Sequence, residues 1–177
     1  MKLYLLGHDY RYAVEQIMLA LFPAQRPEYP ETEPAPGDDY ARTELVCTDT
    51  ACARVRLRVD GREAAAEEIG DITKFSQKQS RDREAQRIIK LAFYHAAMEI
   101  TEERPVWGAL TGIRPGTIMT RLLERGLSDA EALERFQREY FVSPERAALC
   151  REHLAHKAAL LRRGVMEEDH NEEASVC

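Results

Sequence analysis

Residues 53–60 read Ala-Arg-Val-Arg-Leu-Arg-Val-Asp, a strict alternation of apolar and charged side chains, and Gly61 follows. A period of two puts Ala53, Val55, Leu57 and Val59 on one face of a strand and Arg54, Arg56 and Arg58 on the other. Asp60-Gly61 is the pair favoured in a two-residue primed hairpin turn, where both central residues take positive φ. The register then follows without further assumptions: Val59 faces Arg62, Arg58 faces Glu63, Leu57 faces Ala64, Arg56 faces Ala65, Val55 faces Ala66 and Arg54 faces Glu67. Three arginines on one face invite an anion-binding reading, but Arg54 and Arg58 meet glutamates across the strand. A solvated Arg/Glu ladder accounts for them.

The strand before this hairpin is placed by the parity of its connection. A three-residue loop at 49–51 keeps Leu45 and Cys47 on the face of Ala53 and Val55 and sets Glu44 against Arg56, whereas a loop of even length would set Leu45 against Arg54. With the odd loop, Cys47 points into the core and Cys52 points out, so the two are not expected to form a disulfide. Cys47, Cys52, Cys150 and Cys177 include no C-x-x-C pair, which argues against a zinc ribbon or thioredoxin-type motif and leaves no metal site in the reading.

A chain of 177 residues with 44% hydrophobic content can bury a core in one domain or two small ones. Of the net charge of −6, Glu167, Glu168, Asp169, Glu172 and Glu173 supply −5, so the remainder is near neutral. That balance argues against a nucleic-acid partner, which needs a basic surface to replace released counterions. No run approaches the roughly 20 apolar residues of a membrane span. His8, Asp9, Arg11 and Glu15 interrupt what a signal peptide would keep apolar, so a cytoplasmic protein is expected.

The other elements follow from spacing. Residues 2–6 form a short apolar strand. Tyr10, Val14, Ile17, Met18 and Leu21 recur at helical spacing, with Asp9 as N-cap and a stop near Phe22 before Pro23. Residues 23–39, rich in proline, read as an extended surface connection and as the interior segment most prone to disorder. A long helix over 78–103 carries the stripe Ala85, Ile88, Ile89, Ala92, Phe93, Ala96 and Ile100. Its first half, with Lys74 just upstream, gathers Lys78, Arg81, Arg83, Arg87 and Lys90, the largest basic cluster in the chain. Tyr94 and His95 lie within it, and a lone histidine without ligand spacing is not read as catalytic. Three more helices are expected, from about Pro115 to Arg125 with Gly126 past its end, from the capping box Ser128–Glu131 to about Tyr140, and from Ser143-Pro144-Glu145 to about Arg163. The expectation is an α+β protein: a small, mostly antiparallel sheet with two helices over 1–104, a three-helix segment over 105–164, and an acidic, disordered tail over 165–177.

Between the long helix and the helices that follow it stands Trp-Gly-Ala-Leu-Thr-Gly-Ile-Arg-Pro, residues 107–115. Trp107 can bury a large apolar surface, Gly108 and Gly112 admit unusual dihedrals or close backbone approach, and Arg114 before Pro115 is pushed into an extended conformation. One reading is a rigid corner built from Trp107, Gly108, Gly112 and Pro115. The other is an anion site in which Arg114 and Thr111, with the backbone N–H groups of the following helix start and Lys74 as a further cation, face a carboxylate or phosphate. The two are compatible. No catalytic residue is assigned.

Residues 107–115, the following helix ending Leu-Leu-Glu-Arg-Gly, and the run from Ser128 to Cys150 resemble the N-terminal region of the oxygen-independent coproporphyrinogen III oxidase family. These are the coproporphyrinogen dehydrogenases of the radical-SAM superfamily. His8 to Ile17 and the long helix are similar as well, so the resemblance spans most of residues 1–163, with 107–150 its specific part. In such proteins a radical-SAM barrel follows, and its C-x-x-x-C-x-x-C loop holds a [4Fe-4S] cluster that cleaves S-adenosylmethionine. This chain lacks that loop, and its final Ala-Ser-Val-Cys looks like the opening of the barrel's first strand. The resemblance therefore implies an accessory domain of heme biosynthesis, inactive alone, with the catalytic barrel as partner in cis or trans and a porphyrinogen contact. The alternative is a free-standing binding or regulatory module for an anionic ligand or a protein partner. One departure stands inside the motif. The family continues Arg-Pro-Thr-Lys, whereas this chain has Arg114-Pro115-Gly116-Thr117, so a cation is missing where it would help hold an anionic substrate.

Overall fold

A computed structural model describes residues 1–102 and 104–162. The tail expected over 165–177 lies outside the described residues. The fold is α+β, with strands β1 (Lys2–Leu6), β2 (Tyr40–Cys47), β3 (Thr50–Val59) and β4 (Arg62–Asp71) and helices α1 (Arg11–Leu21), α2 (Lys78–Met98), α3 (Pro115–Glu124), α4 (Asp129–Tyr140) and α5 (Pro144–Arg162). The residues group into two compact units, one of 1–112 with 140–142 and the other of 113–139 with 143 onward. Residues 105–112, expected to belong with the helical segment, thus group with the sheet.

The first unit is a four-stranded sheet in the order β1-β2-β3-β4 with α1 and α2 on one face. The β3–β4 hairpin has the register its alternation requires, from Val59 opposite Arg62 to Arg54 opposite Glu67. Asp60 and Gly61 take φ of 51° and 76° in its turn, as a primed type demands. Ala51, Ala53, Val55, Leu57 and Val59 are buried against Ile88, Ile89, Ala92, Phe93 and Ala96 of α2 and Val14, Ile17 and Met18 of α1. Both helices bury residues at three- and four-residue spacing, so their stripes and the period-two face of β3 close one core.

Four details differ from expectation. The β2–β3 connection turns about Asp49, one residue earlier than the 49–51 loop predicts, so Leu45 faces Ala53 and Glu44 faces Arg54, not Arg56. The pairing slides by two and every side chain keeps its face. Cys47 shares the parity of buried Leu45 but is exposed, because it is the last residue of β2; Cys47, Cys52 and Cys150 are all free thiols. Helix α1 starts after Tyr10, not Asp9: the Tyr10 N–H is taken by His8 Nδ1 at 3.2 Å, and Asp9 offers only its carbonyl, to Arg11. Helix α2 ends at Met98, where the Glu99 and Ile100 N–H groups bond to the carbonyls three residues back and tighten the last turn. The Ile100 carbonyl accepts from Arg62 Nη1 at 3.2 Å.

β1 runs parallel to β2, from Lys2 opposite Tyr40 to Leu6 opposite Glu44, and α1 with the proline-rich segment forms the crossover. That segment is an ordered part of the sheet edge, contrary to the disorder expected for it. Leu3 N–H donates to the Glu28 carbonyl at 2.7 Å, Glu28 N–H donates to the Met1 carbonyl at 3.1 Å, and Lys2 Nζ bonds Asp38 at 2.6 Å. Its prolines keep it out of the sheet interior, as they must, but do not prevent it from capping an edge.

In the second unit Ile118, Met119, Leu122, Ala132, Phe136, Ala147 and Cys150 are buried. The capping box that opens α4 is formed as its sequence requires. Glu131 accepts from Ser128 N–H at 2.8 Å and from Ser128 Oγ at 2.6 Å, and Glu131 N–H approaches Ser128 Oγ at 3.4 Å.

On the solvent face of the sheet, Arg54 meets Glu67 at 2.6 Å and Glu44 at 3.8 Å, and Arg58 stands 3.6 Å from Glu63. Because the Arg54 pairs are solvated and the 3.6 Å Arg58 contact, whose Nε is buried, is not a hydrogen bond, Arg54→Ala and Arg58→Ala are each expected to lower the unfolding free energy by less than about 1 kcal/mol. Urea titration of each variant measures this directly, and a larger loss would mean that the ladder is more than a solvated pairing.

Candidate functional site

The loop after α2 is shaped by backbone contacts with residues 140–142. Gly108 is buried at φ +57°, its N–H donates to the Pro105 carbonyl at 2.9 Å, and a Cβ there would stand 2.1 Å from the Tyr140 carbonyl oxygen. The next N–H, of Ala109, donates to that same carbonyl at 2.9 Å. Phe141 holds its place at φ +59°, unusual for a residue with a side chain, while its ring stacks on Tyr94 at 5.1 Å and meets His95 edge-on at 4.9 Å. His95 in turn pairs through Nδ1 with Glu68 at 2.6 Å, so the lone histidine of α2 has a structural partner.

Past this anchor, Ala109 and Leu110 are buried and Thr111 is half-buried. The Thr111 carbonyl accepts from Lys90 Nζ at 2.7 Å, the only hydrogen bond of that amine among the described residues, and no carboxylate pairs with it. Burial alone pushes the Lys90 amine down to about 8, because the charged form loses water without gaining an opposite charge. Gly112, at φ +69°, lies against the amine, with its ideal Cβ position 3.5 Å from Lys90 Nζ and 3.8 Å from the Gln16 side chain. The Thr111 hydroxyl is buried and makes no hydrogen bond. A half-buried amine and an unbonded hydroxyl therefore flank one loop carbonyl. Each is a donor that an oxyanion admitted to the loop could use, and near pH 8 the amine divides between neutral and charged forms.

The residues singled out from sequence do not all meet at one place. Thr111 lies at this point. Lys74 does not. It sits in the β4–α2 connection, 5.2 Å over the Phe75 ring and close to Asp71 and Glu84. Arg114 belongs to the second unit as the exposed N-cap of α3, extended at φ −67° and ψ 125°, with Pro115 at the first helical position as expected. Trp107 is half-buried, less than the mostly buried anchor its size suggests; the fixed point of the corner is Gly108. At Gly116 a Cβ would meet only Leu154 at 3.6 Å, an ordinary contact, so packing does not impose the glycine.

Lys90 is the residue that sequence reasoning passed over, placing it among the basic residues of α2. A signal was present. Residues three and four positions further on are Phe93 and Tyr94, both buried, which places Lys90 beside the apolar stripe and not opposite it. Most of the remaining cluster is accounted for locally: Arg87 grips Glu84 through two bonds of 2.9 and 2.7 Å, Lys78 pairs with Asp82 at 3.6 Å, and Arg81 Nε donates to the Phe75 carbonyl at 2.8 Å.

Among the described residues no group of three or more His, Cys, Asp or Glu is arranged to hold a metal ion. Among the described residues the sheet unit holds two cysteines, Cys47 and Cys52, and the other unit one, Cys150, so neither unit by itself carries the four thiolates of an iron–sulfur cluster.

Three outcomes follow from this geometry. Gly108→Ala meets backbone on both counts, dihedral and contact, and is expected to cost more than about 2 kcal/mol in chemical denaturation; the half-buried Trp107→Ala should cost no more than the lower end of the roughly 3–5 kcal/mol of a core aromatic. For Lys90 the folded value of about 8 lies below the ordinary 10.5, so between these values the unfolded chain binds more protons and stability rises with pH. The contribution is absent below about 8 and complete above about 10.5, and Lys90→Met should remove it. Stability differences between wild type and variant across that range test the assignment; a flat difference would refute it. No protein-family model, curated protein or solved structure matches the chain.

Proposed function

We propose that this chain is the accessory N-terminal domain of a cytoplasmic radical-SAM coproporphyrinogen III dehydrogenase, inactive alone. The resemblance of residues 107–150 carries the reading. What supports it is that the motif's glycines and proline each meet a local backbone requirement: Gly108 and Gly112 take positive φ, Pro115 opens α3, and Gly126 at φ +85° follows its end. In the full-length enzyme, oxidative decarboxylation of two propionates to vinyls would be the work of the barrel, which supplies the [4Fe-4S] cluster and S-adenosylmethionine. This domain would contribute a contact to the anionic porphyrinogen. Lys90 and Thr111 provide donors for such a contact within the sheet unit.

The Lys90–Thr111 arrangement also favours a second reading, a free-standing module that binds an anionic ligand. The gene downstream of codon 177 separates the two. An in-frame C-x-x-x-C-x-x-C segment supports the enzyme, and an immediate stop with no barrel-encoding partner gene nearby defeats it. On the protein itself, anaerobic reconstitution with iron and sulfide is expected to leave no visible absorbance after desalting. A stable brown product holding about four irons per chain would overturn the reading of the cysteines.

A further inference from the structure

The solvent face of the sheet holds a second arrangement, separate from the loop. Along β3, Arg58, Arg56 and Arg54 meet Glu63, Ala65 and Glu67 of β4 in turn. The outer two rungs are ion pairs and the middle one has no carboxylate. On its other side Arg56 faces Arg42 of β2, because the two-residue slide of that pairing gives Glu44 to Arg54. Like charges directly opposite each other across a strand pair are destabilising. Arg42 has its own partners, an ion pair with Glu33 and the Tyr4 ring 5.7 Å from its guanidinium, yet its Nε is buried without a hydrogen bond. Arg56 is exposed and makes no ion pair or hydrogen bond among the described residues. A depression of about 530 Å³ opens at this rung, and Arg42, Glu44, Arg54, Arg56, Ala65 and Glu67 are among the residues that line it.

We propose that this rung is a binding site for the carboxylate of a small organic acid, held by the guanidinium of Arg56 with Arg42 beside it, at the level where Ala65 interrupts the glutamates of β4. The carboxylate would take the place in the ladder that Glu63 and Glu67 fill on either side, and it would separate two facing cations. A planar monoanion suits the site better than a phosphate. The fork of a guanidinium binds two coplanar oxygens, and the carboxylates of Glu44 and Glu67 repel a dianion more strongly.

The test uses the whole chain, with sodium acetate as probe and sodium chloride and phosphate at matched ionic strength as controls. The Arg56 and Arg42 Nε–Hε signals in ¹H–¹⁵N spectra of the wild type are expected to shift saturably with acetate and not with chloride. Ala65→Glu completes the ladder from within, and it is expected to abolish that response while raising the thermal midpoint by up to about 4 °C. Arg56→Gln is expected to lose the response without losing stability, since it removes one of two opposed charges. The proposal fails if acetate acts no differently from chloride, or if Ala65→Glu still responds to acetate. A phosphate response stronger than that to acetate would overturn the assignment to a carboxylate.

Discussion

The structure depends on the burial of one face of β3. Five residues of that strand, Ala51, Ala53, Val55, Leu57 and Val59, are covered by the Ala/Ile/Phe stripe of α2 and by α1. Everything else in the first unit accommodates this contact. β2 and β4 must present the same parity, since a one-residue slip in either would carry charge into the core. With helices on one face only, the arginines of the other face lie on the uncovered side, where among the described residues glutamates pair with Arg42, Arg54 and Arg58 but not with Arg56. Lys90 lies low on α2 for the same reason. Residues 93 and 94 must be buried, and a side chain one turn earlier on that flank is drawn toward the core with them.

The loop at 105–112 is ordered by a different device. The Tyr140 carbonyl lies where the backbone of Gly108 must pass, and Phe141 is held at a positive φ between Tyr94 and His95. A left-handed residue with a side chain costs on the order of 1–2 kcal/mol, here offset by two ring contacts. Residues 140–142 thus group with the sheet although the rest of α4, which ends at Tyr140, and α5, which begins at Pro144, group otherwise. Gly108 meets both requirements that its sequence position suggests, an unusual dihedral and a close backbone approach.

The anionic-ligand reading of the loop and the carboxylate reading of the ladder rest on different physics. At the loop an amine is deprived of water and given one neutral carbonyl, so its charge is costly and an incoming oxyanion would relieve the cost. At the ladder the guanidinium of Arg56 is exposed, and what distinguishes it is the order of its neighbours. Arg114, to which the sequence alone directs attention, contributes extended backbone geometry at the start of α3.

The elements themselves were legible in the amino-acid order. The Asp60-Gly61 turn, the alternation of β3, the stripes of α1 and α2, the capping box at Ser128 and the punctuation by Pro115 and Gly126 are local signals, each decided by the dihedrals or spacing of adjacent residues. The parity of the β2–β3 pairing was legible too, because burial forbids the wrong face, but its exact register was not: a shift of two preserves every face, and only the turn at Asp49 selects between the alternatives. The parallel placement of β1, the capping of its edge by residues 25–28, the depth of Lys90 and the passage of Gly108 over Tyr140 were decided by the tertiary structure. Each joins residues distant in sequence, and no periodicity encodes which distant carbonyl or ring a side chain will meet.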